Sequence, residues 1–142
     1  STIIRTDSVL TSRRIWVGLS EASLATLAAS TSGGNTTTDF VAVGYDAGSS
    51  CNSSWCCCSG NGTNYSCTSM GGSASVAINT EYTVTLDWTV SGTLTCTING
   101  ASLDKTTHLS TASISMGQYN AQTNLATGSR NHHIAKFALE QN

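Results

Sequence analysis

The stretch from Tyr82 to Val90 constrains the fold more than any other part of the chain. Its even positions (Tyr82, Val84, Leu86, Trp88, Val90) are apolar and its odd positions (Thr83, Thr85, Asp87, Thr89) are polar. A strand sends successive side chains to opposite faces, so this period of two sorts one face into a core and the other into water. A helix would scatter the same residues around its whole circumference. The next run, Thr93 to Ile98, repeats the alternation with Leu94, Cys96 and Ile98 on the apolar side, then ends at Asn99-Gly100. Two such strands cannot be stable alone and need a second layer to cover their apolar face.

The register of this hairpin follows from the same faces. A two-residue loop at Ser91-Gly92 would set Leu94 opposite Thr89, core face against water face. A three-residue loop, Val90-Ser91-Gly92, pairs Trp88 with Leu94, Leu86 with Cys96 and Val84 with Ile98. It also places Gly92 last, where such loops favour a left-handed residue. Trp88, Leu86, Leu94, Cys96, Ile98 and Val84 are therefore the expected core residues.

Other segments have strand texture. Ile15, Val17 and Leu19 share one face, with Trp16 on the other. Phe40 to Tyr45 is an apolar run, and Ala135, Phe137 and Leu139 alternate with Lys136 and Glu140. Trp55–Cys58 and Tyr65–Met70 flank a Gly-Asn-Gly-Thr turn and read as a hairpin. Only Glu21 to Ala29 looks helical, and it is too short to stand by itself. The 142 residues make one domain, 1–142, with its core expected in 13–140. Short strands joined by Gly, Asn and Ser turns predict an all-β antiparallel sandwich.

The residues just quoted carry a resemblance. The runs 79–88 and 91–100, a strand of alternating hydrophobics, a Gly turn and a strand closing on Asn-Gly, resemble concanavalin A-like (laminin G-like) jelly-roll domains. Arg14-Ile15-Trp16-Val17-Gly18-Leu19, Phe40 to Tyr45, Trp55 and the terminal Ile134 to Gln141 are similar to such modules in bacteriophage tail-fibre and capsid-appendage structural proteins. The resemblance implies a jelly roll and a structural or adhesive role on a virion. The Cys-rich hairpin departs from that pattern.

Composition narrows the function classes. Charged residues make up 10% of the chain, against about 25% in an average domain. The chain carries 22 serines and 22 threonines. Six basic residues and a net charge of −2 cannot supply the phosphate track of a nucleic-acid binder. No apolar run is long enough to span a membrane as a helix. The lack of a Met start or a leader-like segment reads as a mature, processed or excised chain. The Glu-x-Asp-x-x-Glu carboxylates of glycosidases on this fold are missing, as is a Gly-x-Ser-x-Gly elbow. A non-enzymatic role is expected, with a glycoside hydrolase as the remote alternative.

Cys51, Cys56, Cys57, Cys58, Cys67 and Cys96 admit three readings: extracellular disulfides, structural zinc, or buried thiols. Zinc fits poorly, because no Cys-x-x-Cys pair leads into a second. With a two-residue turn at Asn61-Gly62, Cys56 faces Cys67, which makes Cys56–Cys67 the leading disulfide. Cys51 would then bridge Cys57 or Cys58, and Cys96 would stay reduced in the core. His132 and His133 diverge on a strand and His108 lies apart, so no metal is assigned. Calcium is left open, since Asp39, Asp46 and Asp104 are scattered among Asn-rich loops. The Asn-x-Ser/Thr triplets at Asn35, Asn52, Asn61 and Asn64 occur about as often as chance allows.

Trp16 is the candidate contact residue. Out of phase with Ile15 and Val17, it would stack on a glycan, meet a neighbouring subunit, or be covered by the 21–29 segment. The expected function is a virion structural or adhesion module, in contact with copies of itself, with other virion proteins and with surface glycans. A secreted carbohydrate-binding module is the alternative. Low charge further predicts a homo-oligomer whose exposed apolar surface is covered by its neighbours.

Overall fold

The computed structural model describes residues 1–21, 39–89, 92–110, 117–124 and 133–137, the last two by backbone alone. Ten strands form two antiparallel five-stranded sheets. They are β1 (Thr2–Arg5), β2 (Arg13–Ser20), β3 (Asp39–Asp46), β4 (Cys56–Asn61), β5 (Tyr65–Ser69), β6 (Glu81–Trp88), β7 (Leu94–Ile98), β8 (Ala101–Lys105), β9 (Gly117–Asn124) and β10 (His133–Phe137). Sheet A runs β10-β1-β6-β7-β8 and sheet B runs β5-β4-β3-β2-β9. Among the described residues the only helical turn is Gly72–Ala74. The helix expected from Glu21 to Ala29 lies almost wholly outside the described residues.

The β6–β7 hairpin has the register that the alternation demands. Val84 pairs with Ile98, Leu86 with Cys96 and Trp88 with Leu94. Val84, Leu94, Cys96 and Ile98 are buried, whereas Leu86 and Trp88 pack against the core from its margin. Gly92 is not left-handed as expected; its N–H instead closes a turn onto the Thr89 carbonyl at 3.0 Å. Val90 and Ser91 lie outside the described residues.

Three strands escaped the sequence reading. β1 sits between β10 and β6, so the core does not begin at residue 13, and Ile4 of β1 is buried in it. β8 and β9 are polar (ASLDK and GQYNAQTN) and become strands through the ladders that β7 and β2 offer them. Tertiary pairing outweighs their weak intrinsic signal.

The two sheets share one apolar cluster. Sheet A supplies Ile4, Tyr82, Val84, Leu94, Cys96 and Ile98, and sheet B supplies Ile15, Val17, Val41, Val43, Tyr45 and Cys57. Trp55, fully buried, sits between the sheets. Its ring meets Tyr45 of β3 edge-on at 6.3 Å and Tyr82 of β6 at 5.3 Å. Such pairs add about 0.5–1.5 kcal/mol each to the area they bury. The Tyr82 hydroxyl donates to the Ser75 carbonyl and accepts from the Ala77 N–H, so the buried phenol keeps its polar tip satisfied.

The outer faces differ. On sheet A, Thr85, Thr97 and Ser102 stand in one cross-strand row and Asp87, Thr95 and Asp104 in the next. Thr95 donates to Asp104 at 2.7 Å, and the Thr97 and Ser102 hydroxyls share a 2.9 Å bond. On sheet B the outer face is apolar and buried, with Trp16, Phe40, Ala42, Cys56 and Cys58 in a second cluster with Cys51. The unbroken run Phe40–Tyr45 is the sequence signature of a strand buried on both faces.

Candidate functional site

The cysteines form three disulfides, Cys51–Cys56, Cys57–Cys96 and Cys58–Cys67. The expected Cys56–Cys67 bridge is not formed, and its failure has a local cause. The turn between β4 and β5 is longer than Asn61-Gly62. Asn61 donates its N–H to the Asn64 carbonyl, and its side-chain oxygen accepts the N–H groups of Thr63 and Asn64 at 3.2 and 2.8 Å. Gly62 takes φ +75° inside it. Pairing therefore starts at Gly60 with Tyr65, which moves Cys67 from opposite Cys56 to opposite Cys58. The shift is two residues, so every side chain keeps its face.

Alternation along β4 explains the remaining pairs. Cys56 and Cys58 point outward, and Cys57 points into the core. Cys56 is thus free to take Cys51, whose loop folds back along the outer face. Cys51 does not bridge Cys57 or Cys58. Cys57 meets Cys96, which is buried as expected but oxidised rather than reduced. This bond ties β4 of sheet B to β7 of sheet A with Cα atoms 5.7 Å apart. Three disulfides suit an oxidising extracellular or secreted setting, and no described helix is long and apolar enough to cross a membrane.

Trp16 is 3% exposed, so it is no glycan or subunit contact. It lies opposite Gly44 on β3, and its ring occupies the space a Cβ there would need, 2.7 Å from its Cζ3. A tryptophan facing a glycine across a strand pair is the signal that could have placed it inside. Next along the same face, Arg14 and Asp46 form a buried ion pair at 2.9 Å. The second Asp46 oxygen accepts the Gly48 N–H at 2.9 Å.

These bonds fix the loops at one end of the domain. The Asp46 N–H donates to the Cys51 carbonyl at 3.0 Å, and the Ala47 N–H to the Arg13 carbonyl at 2.9 Å. Behind the facing 6–12 segment, Arg13 pairs with Asp7 at 3.1 Å. Between that segment and the 47–52 loop lies a cleft of about 460 Å³, lined by Leu10, Thr11, Ser12, Tyr45, Ala47, Gly48 and Asn52. Burial, with Asp46 adding to it, raises the Tyr45 phenol above its ordinary value, so it stays neutral. Ser12 holds φ +58°, a left-handed conformation uncommon outside glycine.

At the far edge, Lys105 is buried. Its ammonium donates to Ser66 at 2.8 Å, Thr68 at 3.2 Å and Thr107 at 3.3 Å. The lysine at the edge of sheet A thereby clasps the edge strand β5 of sheet B. Burial lowers its pKa.

Among the described residues no three His, Cys, Asp or Glu side chains converge as a metal site. Asp46 is engaged by Arg14, Asp104 by Thr95, and Asp39 lies apart from both. His132 and the Asn35 triplet fall outside the described residues. Ile78 is the one large hydrophobic residue among them that stands exposed, so the apolar intersubunit patch expected from the low charge is missing there. Comparison of the chain with protein-family models, curated proteins and solved structures finds no match.

Proposed function

We propose that this chain is an extracellular adhesion and structural module of a virus particle, with the jelly-roll form of the concanavalin A-like domains it resembles. Its role is to hold shape and make contacts rather than to catalyse. The observation that carries the reading is the Cys57–Cys96 bond through the middle of the core, flanked by two further disulfides. A domain cross-linked between its sheets persists outside the cell, where particles must survive. The strand order supports the jelly roll: β1 and β10 pair with each other, and each sheet holds one meander, β6-β7-β8 or β2-β3-β4-β5. Contacts with other copies fall to the outer face of sheet A, with its Thr and Ser rows, because the described surface lacks an apolar patch.

Light scattering on the oxidised domain tests this reading. A stable oligomer that Thr85→Arg and Thr97→Arg on sheet A dissociate is the expected result. A monomer at high concentration would leave the alternative, a freely secreted carbohydrate-binding module.

A further inference from the structure

The cleft between the 6–12 segment and the 47–52 loop has no role in subunit contact as drawn above. We propose that it is a binding site for an uncharged saccharide, an inference that rests on the adhesion reading.

The chemistry of the walls selects the ligand class. Among the described residues no Asp, Glu, Lys or Arg lines the cleft. The nearby charges are already neutralised, Arg14 by Asp46 and Arg13 by Asp7. An anionic or cationic ligand finds no counter-charge here, and losing its hydration would go uncompensated. The lining instead mixes groups that both donate and accept, the Thr11 and Ser12 hydroxyls and the Asn52 amide, with apolar Leu10 and Ala47. A sugar ring carries the same mixture, hydroxyls around its rim and C–H groups on its face. The volume, about 460 Å³, lies within the range of about 300–1,000 Å³ common for small-ligand sites.

The walls are also fixed in advance. Asn52 follows Cys51, which is anchored by its disulfide to Cys56 and by the Asp46 N–H. The Ala47–Gly48 wall hangs on Arg13 and on the Asp46 carboxylate. Little loop ordering is left to oppose binding, which matters for a ligand that gains only a few neutral hydrogen bonds. On the facing wall, Ser12 keeps its left-handed conformation at φ +58°. Strain of that kind in a non-glycine residue gathers at ligand sites.

The test is a printed array of neutral and acidic oligosaccharides, probed with the oxidised wild-type domain and with Asn52→Ala, Thr11→Ala and Thr85→Ala. Binding to neutral glycans is expected, weakened about tenfold by Asn52→Ala or Thr11→Ala, in line with one lost hydrogen bond to a desolvated partner. Thr85→Ala, on the outer face of sheet A, should leave it unchanged. A blank array, binding to acidic glycans alone, or binding indifferent to both cleft variants overturns the site. Light scattering on the same sample separates the two proposals. An oligomer with a blank array removes only the saccharide site, while a monomer that binds neutral glycans removes only the particle role.

Discussion

Removing the intersheet disulfide should cost more than removing either of the others, and the difference can be worked from loop lengths. Cys57–Cys96 spans 39 residues, Cys58–Cys67 spans 9 and Cys51–Cys56 spans 5. The chain-entropy relation gives about 4, 2.6 and 2 kcal/mol respectively at room temperature. Because the Cys58–Cys67 loop is nested inside the longest one, its retention shortens that loop and lowers the first figure to about 3.6 kcal/mol. Both Cys57 and Cys96 are fully buried, so truncation adds a cavity term. A Cys57→Ala/Cys96→Val variant limits it, since valine refills the space between Leu94 and Ile98. Urea unfolding followed by tryptophan fluorescence measures the loss against a Cys51→Ala/Cys56→Ala variant. The denaturant slope should also rise in the intersheet variant, because its unfolded chain is freer to expand. A loss under about 1 kcal/mol with an unchanged slope, or a larger loss from the Cys51–Cys56 variant, would refute the reasoning.

Three further outcomes follow from single contacts. Gly44→Ala should lower stability by about 1–3 kcal/mol, because Trp16 covers that position and is itself enclosed; an unchanged urea midpoint would show that the ring lies elsewhere. Arg14→Met strands the buried Asp46 carboxylate and should cost about 3–5 kcal/mol, while adding Asp46→Asn should recover part of that loss in a double-mutant cycle. For Lys105 the folded pKa is lowered from 10.5, so the unfolded chain binds more protons between the lowered value and 10.5. Wild-type stability should therefore rise with pH through that window relative to Lys105→Met, and comparison with the variant cancels the opposing fall from Tyr45, whose pKa is raised from 10.0. A stability difference that stays flat with pH would remove the buried-ammonium account.

What was legible in the sequence was the part governed by period two. Tyr82 to Ile98 announces both strands and their register, because only one loop length keeps Trp88, Leu86 and Val84 facing Leu94, Cys96 and Ile98. The same rule separates Ile15 and Val17 from Trp16 correctly, but it says nothing about whether the second face is wet. That depended on Gly44 across the strand pair, a relation visible only once β2 and β3 are aligned. The disulfides failed for a similar reason. A side chain's face was readable along β4, yet pairing rested on the turn, and the Asn61 side chain turns two residues into four by capping Thr63 and Asn64. Cys96 in phase with Leu94 looked like filler because its partner belongs to the other sheet, and no local pattern reports which residues meet across a core. The cleft was invisible altogether. Its lining comes from two loops more than thirty residues apart in the sequence, and neither carries a motif.

Disulfide mapping tests the central claim most directly. Trypsin cannot serve, because no Lys or Arg lies between Arg14 and Lys105 and all six cysteines fall in that span. Chymotrypsin acting after Tyr45, Trp55, Tyr65, Tyr82 and Leu94 leaves Cys51, the Cys56-Cys57-Cys58 run, Cys67 and Cys96 on separate peptides. The structure predicts that, without reduction, all of these stay joined through the 56–65 peptide, and that electron-based fragmentation ties Cys57 to Cys96, Cys56 to Cys51 and Cys58 to Cys67. A Cys96 peptide released and alkylated without reductant would contradict the cross-linked frame, and with it the extracellular role built upon it.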